Sequence, residues 1–259
     1  MIATPHNPIP MTDFNFLGDK IRLHQSDSGH RSGTDAVLLA ATVPQSFAGL
    51  VVDAGSASGA VGLSVGARVP GAAIRCVEID PVEADLARAN IAANGFQDRA
   101  HVIQADLLAA FKEREAMGIT LADADRVLTN PPFLSEGKSR PSPDLARQRA
   151  HRMPEDGLDR WILACHAMLK PHGTLALIHR ADALKEILDA LSGRFGHIGV
   201  LPIHPRAGAP ATRLLIEAIK GSRAPLRLLS GLILHEADGR FTDIADALHK
   251  GDAMLTLDR

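Results

Sequence analysis

Tyrosine is absent from the chain, and aromatic residues make up only 3% of its 259 positions. So few rings exclude a broad stacking platform for single-stranded nucleic acid. Cysteine is nearly as scarce: Cys76 and Cys165 lie far apart in apolar runs, neither within a CxxC, and read as two buried thiols in a reducing cytoplasm. No apolar run approaches a membrane span, and "MIATPHNPIPMTDF" lacks the basic-then-apolar order of a signal peptide. An excess of one charge is also missing. The net charge of -2 removes overall basicity as a sign of nucleic-acid binding and leaves a local patch open. The twelve histidines show no HExxH or other ligand spacing, so no metal is expected.

What is present is ordinary for a soluble enzyme: 46% hydrophobic and 22% charged residues, enough to bury one large α/β core. Residues 1 to 13 are Pro-rich and polar and read as a loose arm. "FNFLGDKIRLHQ" (14 to 25) alternates around Gly18-Asp19 as a small hairpin, and "GTDAVLLAATV" reads as a short helix packed through Val37, Leu38 and Leu39. From residue 50 the rhythm is strand, helix, strand, helix. "LVVDAG", "AIRCVEID", "AHVIQAD", "RVLTN" and "TLALIH" are strands. "GHIGVLPIH" and "TRLLIEAI" then follow one another with no helix between them. This order predicts a doubly wound, mostly parallel seven-stranded sheet with a late antiparallel pair. Asp80-Pro81-Val82-Glu83 opens a helix with an N-cap acid and proline at its first position. The expected organisation is one domain: an arm, hairpin and helix (1–45), a core (46–220), and a C-terminal extension packed on it (221–259).

Three strand ends carry chemistry at the edge where such sheets bind ligands. The first is Asp53-Ala54-Gly55-Ser56-Ala57-Ser58-Gly59, whose glycines let backbone N–H groups approach a ligand at a helix N-terminus. The second presents Glu78, suited to ribose hydroxyls, and the third Asp106, suited to an adenine amino group. A glycine loop alone is also met as a plain tight turn. A dinucleotide dehydrogenase would use a similar acid, but the GxGxxG frame from Gly55 fails at Ala57 and Ala60. Asp53 before the turn suits an ammonium and not a pyrophosphate. A ligand with an amino-acid end, a ribose and an adenine fits all three ends, and S-adenosylmethionine is that ligand.

Asn130-Pro131-Pro132-Phe133 leaves the fourth strand on the same edge. A residue before proline is pushed out of the helical region, so Asn130 is held extended, and two prolines stiffen the turn. The Asn130 side-chain oxygen and the Pro131 carbonyl can converge on a planar –NH2, while Phe133 offers a face for an aromatic base. These four are the expected catalytic residues, acting by positioning and desolvation.

"VVDAGSASGAVGLSVGARVPGAAIRCVEID" resembles the Rossmann-like core of class I S-adenosylmethionine-dependent methyltransferases, with their D-x-G-x-G-x-G loop. The chain departs from that pattern at Ala57, where an added methyl crowds the loop. "NPPF" resembles the signature of amino-methyltransferases acting on adenine, cytosine or glutamine amides. "FLGDKIRLHQSDSGHRSGTDAVLLAAT", "PRAGAPATRLLIEAIKG" and "LILHEADGRFT" are similar to the bacterial tRNA(Val) adenine-N(6) methyltransferase family. The resemblance implies Gly33, Thr34, Asp35, Asp53, Gly55, Ala57, Gly59, Glu78, Ile79, Asp106, Leu107 and Asn130 around the cofactor. It also implies a tRNA or other structured RNA as partner, in a chain that is a monomer or homodimer in the cytoplasm.

"LSEGKSRPSPDLARQRAHR" (134 to 152) follows the motif with five basic residues against two acids, a local charge of +3. Lys138, Arg140, Arg147 and Arg149 are candidate phosphate contacts, and a solvated loop is the plain alternative. His204, Arg206 and Arg213 could extend that surface. The competing functions are methylation of a small molecule or a protein glutamine amide, and non-catalytic binding of the cofactor.

Overall fold

A computed structural model describes residues 11–26, 33–132 and 156–257. β1 (Met11–Phe16) and β2 (Ile21–Ser26) pair antiparallel, with Phe16 opposite Ile21. The strand opens at Met11, so the expected arm ends sooner than its polar composition suggested. α1 (Thr34–Ala40) follows and buries Val37, Leu38 and Leu39.

The alternating body comprises β3 (Gly49–Ala54), α2 (Ala60–Arg68), β4 (Ala72–Glu78), α3 (Pro81–Ala93), β5 (Ala100–Gln104), α4 (Phe111–Ala116) and β6 (Ala124–Thr129). It continues with α5 (Gly157–Met168), β7 (Leu169–Arg180), α6 (Leu184–Leu191), β8 (Phe195–Arg206) and β9 (Arg213–Lys220). Two short strands, β10 (Arg227–Leu228) and β11 (Leu232–His235), precede α7 (Asp243–His249). The sequence reading missed α4, which buries none of its residues and therefore carries no apolar period.

The sheet runs β10-β8-β9-β7-β6-β3-β4-β5, with β11 also on β8. β3 to β7 are mutually parallel, and β9 is antiparallel to both β7 and β8. The seven expected strands are thus present in a nine-stranded sheet. β10 and β11 lie in succession along β8, pairing Gly199–Val200 and then Ile203–Arg206. An uncovered edge strand is a template for another chain, and these two segments occupy it. They are too short to show an alternation in sequence.

Adjacent residues of a strand face opposite sides, so Val51 enters one core with α1, α2 and the hairpin, and Val52 enters the other with α5 and α6. The buried Arg68 guanidinium donates to the carbonyls of Ala40 at 2.7 Å and Ala253 at 2.8 Å, tying the end of α1 to the C-terminal segment.

Two asparagines one turn apart, Asn90 on α3 and Asn94 capping its C-terminus, join the hairpin to the core. Asn94 Oδ1 accepts from Arg22 N at 2.8 Å, and its Nδ2 donates to Arg22 O at 2.7 Å. Asn90 does the same for His24, at 2.8 and 3.0 Å. The match is geometric: four helical residues rise about 6 Å, and two strand residues span about 6.7 Å. The amides therefore replace a missing strand partner for β2. Asn90 Nδ2 also donates to Ser58 O at 2.9 Å, so the same side chain grips the first glycine loop. Asn90→Ala is expected to lower unfolding free energy by about 3 kcal/mol, since it strands buried backbone groups. Urea denaturation of the two proteins measures it.

Candidate active site

Parallel strands put their carboxyl ends on one edge. Ala54 pairs with Val77 on one side and Thr129 on the other, and Glu78 pairs with Gln104. Asn130, the loop after Ala54, Glu78 and Asp106 therefore stand in that spatial order. β3 has β4 on one flank and β6 on the other, so the order reverses at β3, and Asn130 and Gly55 flank the crevice opened there.

The loop is folded against its own neighbours. Gly55 has φ +74°, and a side chain there would meet Trp161 Cζ2 at 2.8 Å, so only glycine fits under that indole. Trp161 Nε1 donates to Thr129 Oγ1 at 2.9 Å, and that hydroxyl donates to Ala54 O at 2.8 Å. One chain of bonds thus locks the tips of β3 and β6. Ala57 has φ +45°, a left-handed conformation that costs an L-residue about 1–2 kcal/mol. Its N–H donates to Glu78 Oε2 at 2.7 Å. Glu78 Oε1 accepts from Ile79 N and Asp80 N, both at 2.9 Å. Three of its roughly four acceptor sites are thus already in use. Burial lifts the Glu78 carboxyl above the usual carboxylate range, with the three N–H groups pulling the other way.

Asp53 is 2% exposed, and its Oδ2 accepts from Gly62 N at 2.9 Å. Burial pushes its carboxyl up to about 7; the Gly62 N–H opposes the shift and Glu78 adds to it. Asp106 Oδ1 accepts from Leu108 N at 2.7 Å, fixing the turn after β5. Asn130 Oδ1 is buried and has no hydrogen-bond partner among the described residues. An acceptor placed so at a strand tip is set for a donor from a ligand.

The family model described as Methyltransferase small domain matches residues 28–202. The chain belongs to this family. A tRNA1(Val) (adenine(37)-N6)-methyltransferase of Porphyromonas gingivalis strain W83 is 31% identical over 241 residues, 90% of this chain and 92% of that protein. A protein of the same name from Aeromonas hydrophila is 32% identical over 213 residues, 82% of this chain and 85% of its own length. The crystal structure of a predicted O-methyltransferase from Agrobacterium tumefaciens matches with a TM-score of 0.73 at 32% identity, covering 86% of this chain and 98% of that one. The protein is a methyltransferase whose methyl donor is S-adenosylmethionine.

In this methyltransferase the structure brings most of the expected residues to one edge. Asp53, Gly55, Ala57, Gly59, Glu78, Ile79, Asp106 and Asn130 all sit at the tips of β3 to β6. Gly33, Thr34 and Asp35 open α1. Asp35 pairs with Arg213 at 3.1 Å, and Arg213 lies beside Arg180 at the end of β7, which puts this stretch on the far side of Asn130. Thr34 Oγ1 lies 3.0 Å from His249 Nε2. The Leu107 side chain is buried in the core, which leaves its backbone at the edge. Phe133, Lys138, Arg140, Arg147 and Arg149 lie outside the described residues, as does the charged stretch they belong to. Trp161, Thr129 and Asn90 were missed as site-forming residues. In sequence Trp161 is one member of an apolar helical stripe, and nothing local marks which neighbour its N–H will find. No cluster of three metal-ligating side chains occurs among the described residues.

Ala57→Gly removes the left-handed strain and is expected to raise unfolding free energy by about 1 kcal/mol in urea titrations. The raised carboxyl of Asp53 sets a second expectation. Its contribution to stability is fully present below the unfolded value of 3.8 and is lost as pH rises through about 7. The slope is up to about 1.4 kcal/mol per pH unit within that window. Asp53→Asn keeps an acceptor for Gly62 and removes the titration. Its unfolding midpoint should vary less than that of the parent between about pH 5 and about pH 8.

Proposed function

We propose that the methyltransferase moves a methyl group to an exocyclic amino nitrogen, adenine N6 of a tRNA, in the cytoplasm. The observation that carries this reading is the orphaned, buried Oδ1 of Asn130 at the β6 tip, one strand away from the glycine loop. When bound, S-adenosylmethionine supplies a methyl already activated by its sulfonium. The chain then needs to hold an amine in line and exclude water. Asn130 Oδ1 and the Pro131 carbonyl accept hydrogen bonds from the two N–H groups of a planar amine, which turns the nitrogen lone pair toward the crevice; the methylated nitrogen then loses one proton to solvent. Pro131 and Pro132 fix that turn, and Phe133 stacks the base.

The crevice residues fit the donor in charge. Asp53, Glu78 and Asp106 place three acids along the edge, matching a ligand that carries an ammonium and a sulfonium. Asp53 faces the ammonium, the remaining acceptor site of Glu78 takes a ribose hydroxyl, and Asp106 takes the adenine amine. Ile79, 43% exposed beside Glu78, offers its apolar surface to the adenine ring. Gly33, Thr34 and Asp35 close the crevice from α1, with Leu107 contributing backbone alone. Residues 46–220 form the catalytic core in this reading, preceded by the hairpin unit and followed by the edge-covering extension.

The names of the curated relatives support adenine N6 in a tRNA as the acceptor. The Agrobacterium neighbour is described as a predicted O-methyltransferase. A hydroxyl has one proton to donate, however, and two convergent acceptors suit an amine better. An anticodon loop costs little to unstack, and Lys138, Arg140, Arg147 and Arg149, continuing from the motif in sequence, would hold its phosphates.

Asn130→Ala should reduce methyl transfer to tRNA at least about 100-fold while S-adenosylhomocysteine affinity stays within about threefold. Nucleoside mass spectrometry of tRNA from a deletion strain should lack one methylated adenosine, restored by the parent gene and not by this variant. Full activity in Asn130→Ala would sink the mechanism.

A further inference from the structure

Three acids line the crevice, yet the amino-acid end of the cofactor carries a carboxylate as well as an ammonium. The glycine loop is a poorer source of donors than its sequence suggests. Gly55 N and Ser56 N both donate to Val77 O, at 2.9 and 3.0 Å. Gly59 N donates to Ser56 O, Ala57 N to Glu78, and Gly62 N to Asp53. The loop has turned most of its N–H groups inward to hold its own shape. A donor from another element would add to the few N–H groups left at the start of α2.

One uncharged amide donor among the described residues is buried without an acceptor: Gln25 Nε2, on a side chain only 4% exposed. Gln25 stands near the end of β2 on the same face as the buried Ile21 and Leu23, which share one core with Val61 and Leu63 of α2. Its neighbour His24 is held on both backbone groups by Asn90, and Asn90 reaches Ser58 O in the loop. The Gln25 amide is thus carried on a strand bolted through Asn90 to the glycine loop, on the hairpin face turned to the core. An –NH2 buried with no partner weakens the fold unless a ligand completes it.

We propose that Gln25 binds the α-carboxylate of S-adenosylmethionine, donating through Nε2. This gives the N-terminal hairpin a direct part in cofactor binding and a reason for its double asparagine anchor. It rests on the crevice reading above and is independent of the methyl acceptor.

Calorimetric titration with two probes tests it: S-adenosylhomocysteine, and 5′-methylthioadenosine, which lacks the amino-acid end. Gln25→Ala should weaken S-adenosylhomocysteine about 10-fold or more and leave 5′-methylthioadenosine within about twofold. Gln25→Glu should weaken S-adenosylhomocysteine further, by setting like charges together. Gln25→Leu fills the same space without the unmet amide, so its ligand-free melting temperature should equal or exceed that of the parent, and its gain on adding S-adenosylhomocysteine should shrink. Unchanged S-adenosylhomocysteine affinity in Gln25→Ala overturns the assignment, and so does an equal loss of both ligands, which would mark a structural role. A parent protein that binds neither compound overturns the crevice reading and this assignment with it.

Discussion

The bond from the Trp161 indole to Thr129, passed on through the threonine hydroxyl to Ala54 O, is the constraint on which the site depends. Thr129 is the residue before Asn130, and Ala54 is the residue before Gly55. The glycine loop and Asn130 are thereby held on adjacent strand tips, about 4.8 Å apart in the sheet. Methyl transfer between two bound partners relies on such fixed spacing more than on acid–base power. The indole also occupies the space beside Gly55, so the glycine serves packing there as much as ligand approach.

A second layer of support comes from outside the alternating body. Asn90 and Asn94 read the backbone of β2 as a strand would, and Asn90 extends the same grip to the glycine loop. Arg213 and His249 hold the opening residues of α1 from the other end of the chain. Segments far apart in sequence thus converge on one edge of the sheet. Rigidity at that edge is built from side-chain amides and a few charged pairs, all of them long-range.

The acids of the crevice are strained by their burial. Asp53 titrates near neutrality, and Glu78 is raised in spite of three backbone donors. Ala57 adds a left-handed backbone to the same loop. Strain of this kind, gathered in one loop, is where a fold commonly departs from its most stable arrangement.

Local sequence signals suffice for the order of strands and helices and for placing the acids and Asn130 on one edge of the sheet. Each of these follows from local signals: apolar runs of strand length, an acid-proline helix start at Asp80-Pro81, and prolines that force the preceding residue extended. The partners were decided only in three dimensions. Trp161 reads as one apolar position among several until its N–H meets Thr129, and Gln25 reads as one residue of a hairpin until burial strips its amide of water. The short β10 and β11 carry no period and form because the edge of β8 offers them backbone partners. Periodicity reports which way a side chain faces; hydrogen bonds across dozens of residues depend on where the backbone finally runs, and no local pattern encodes that.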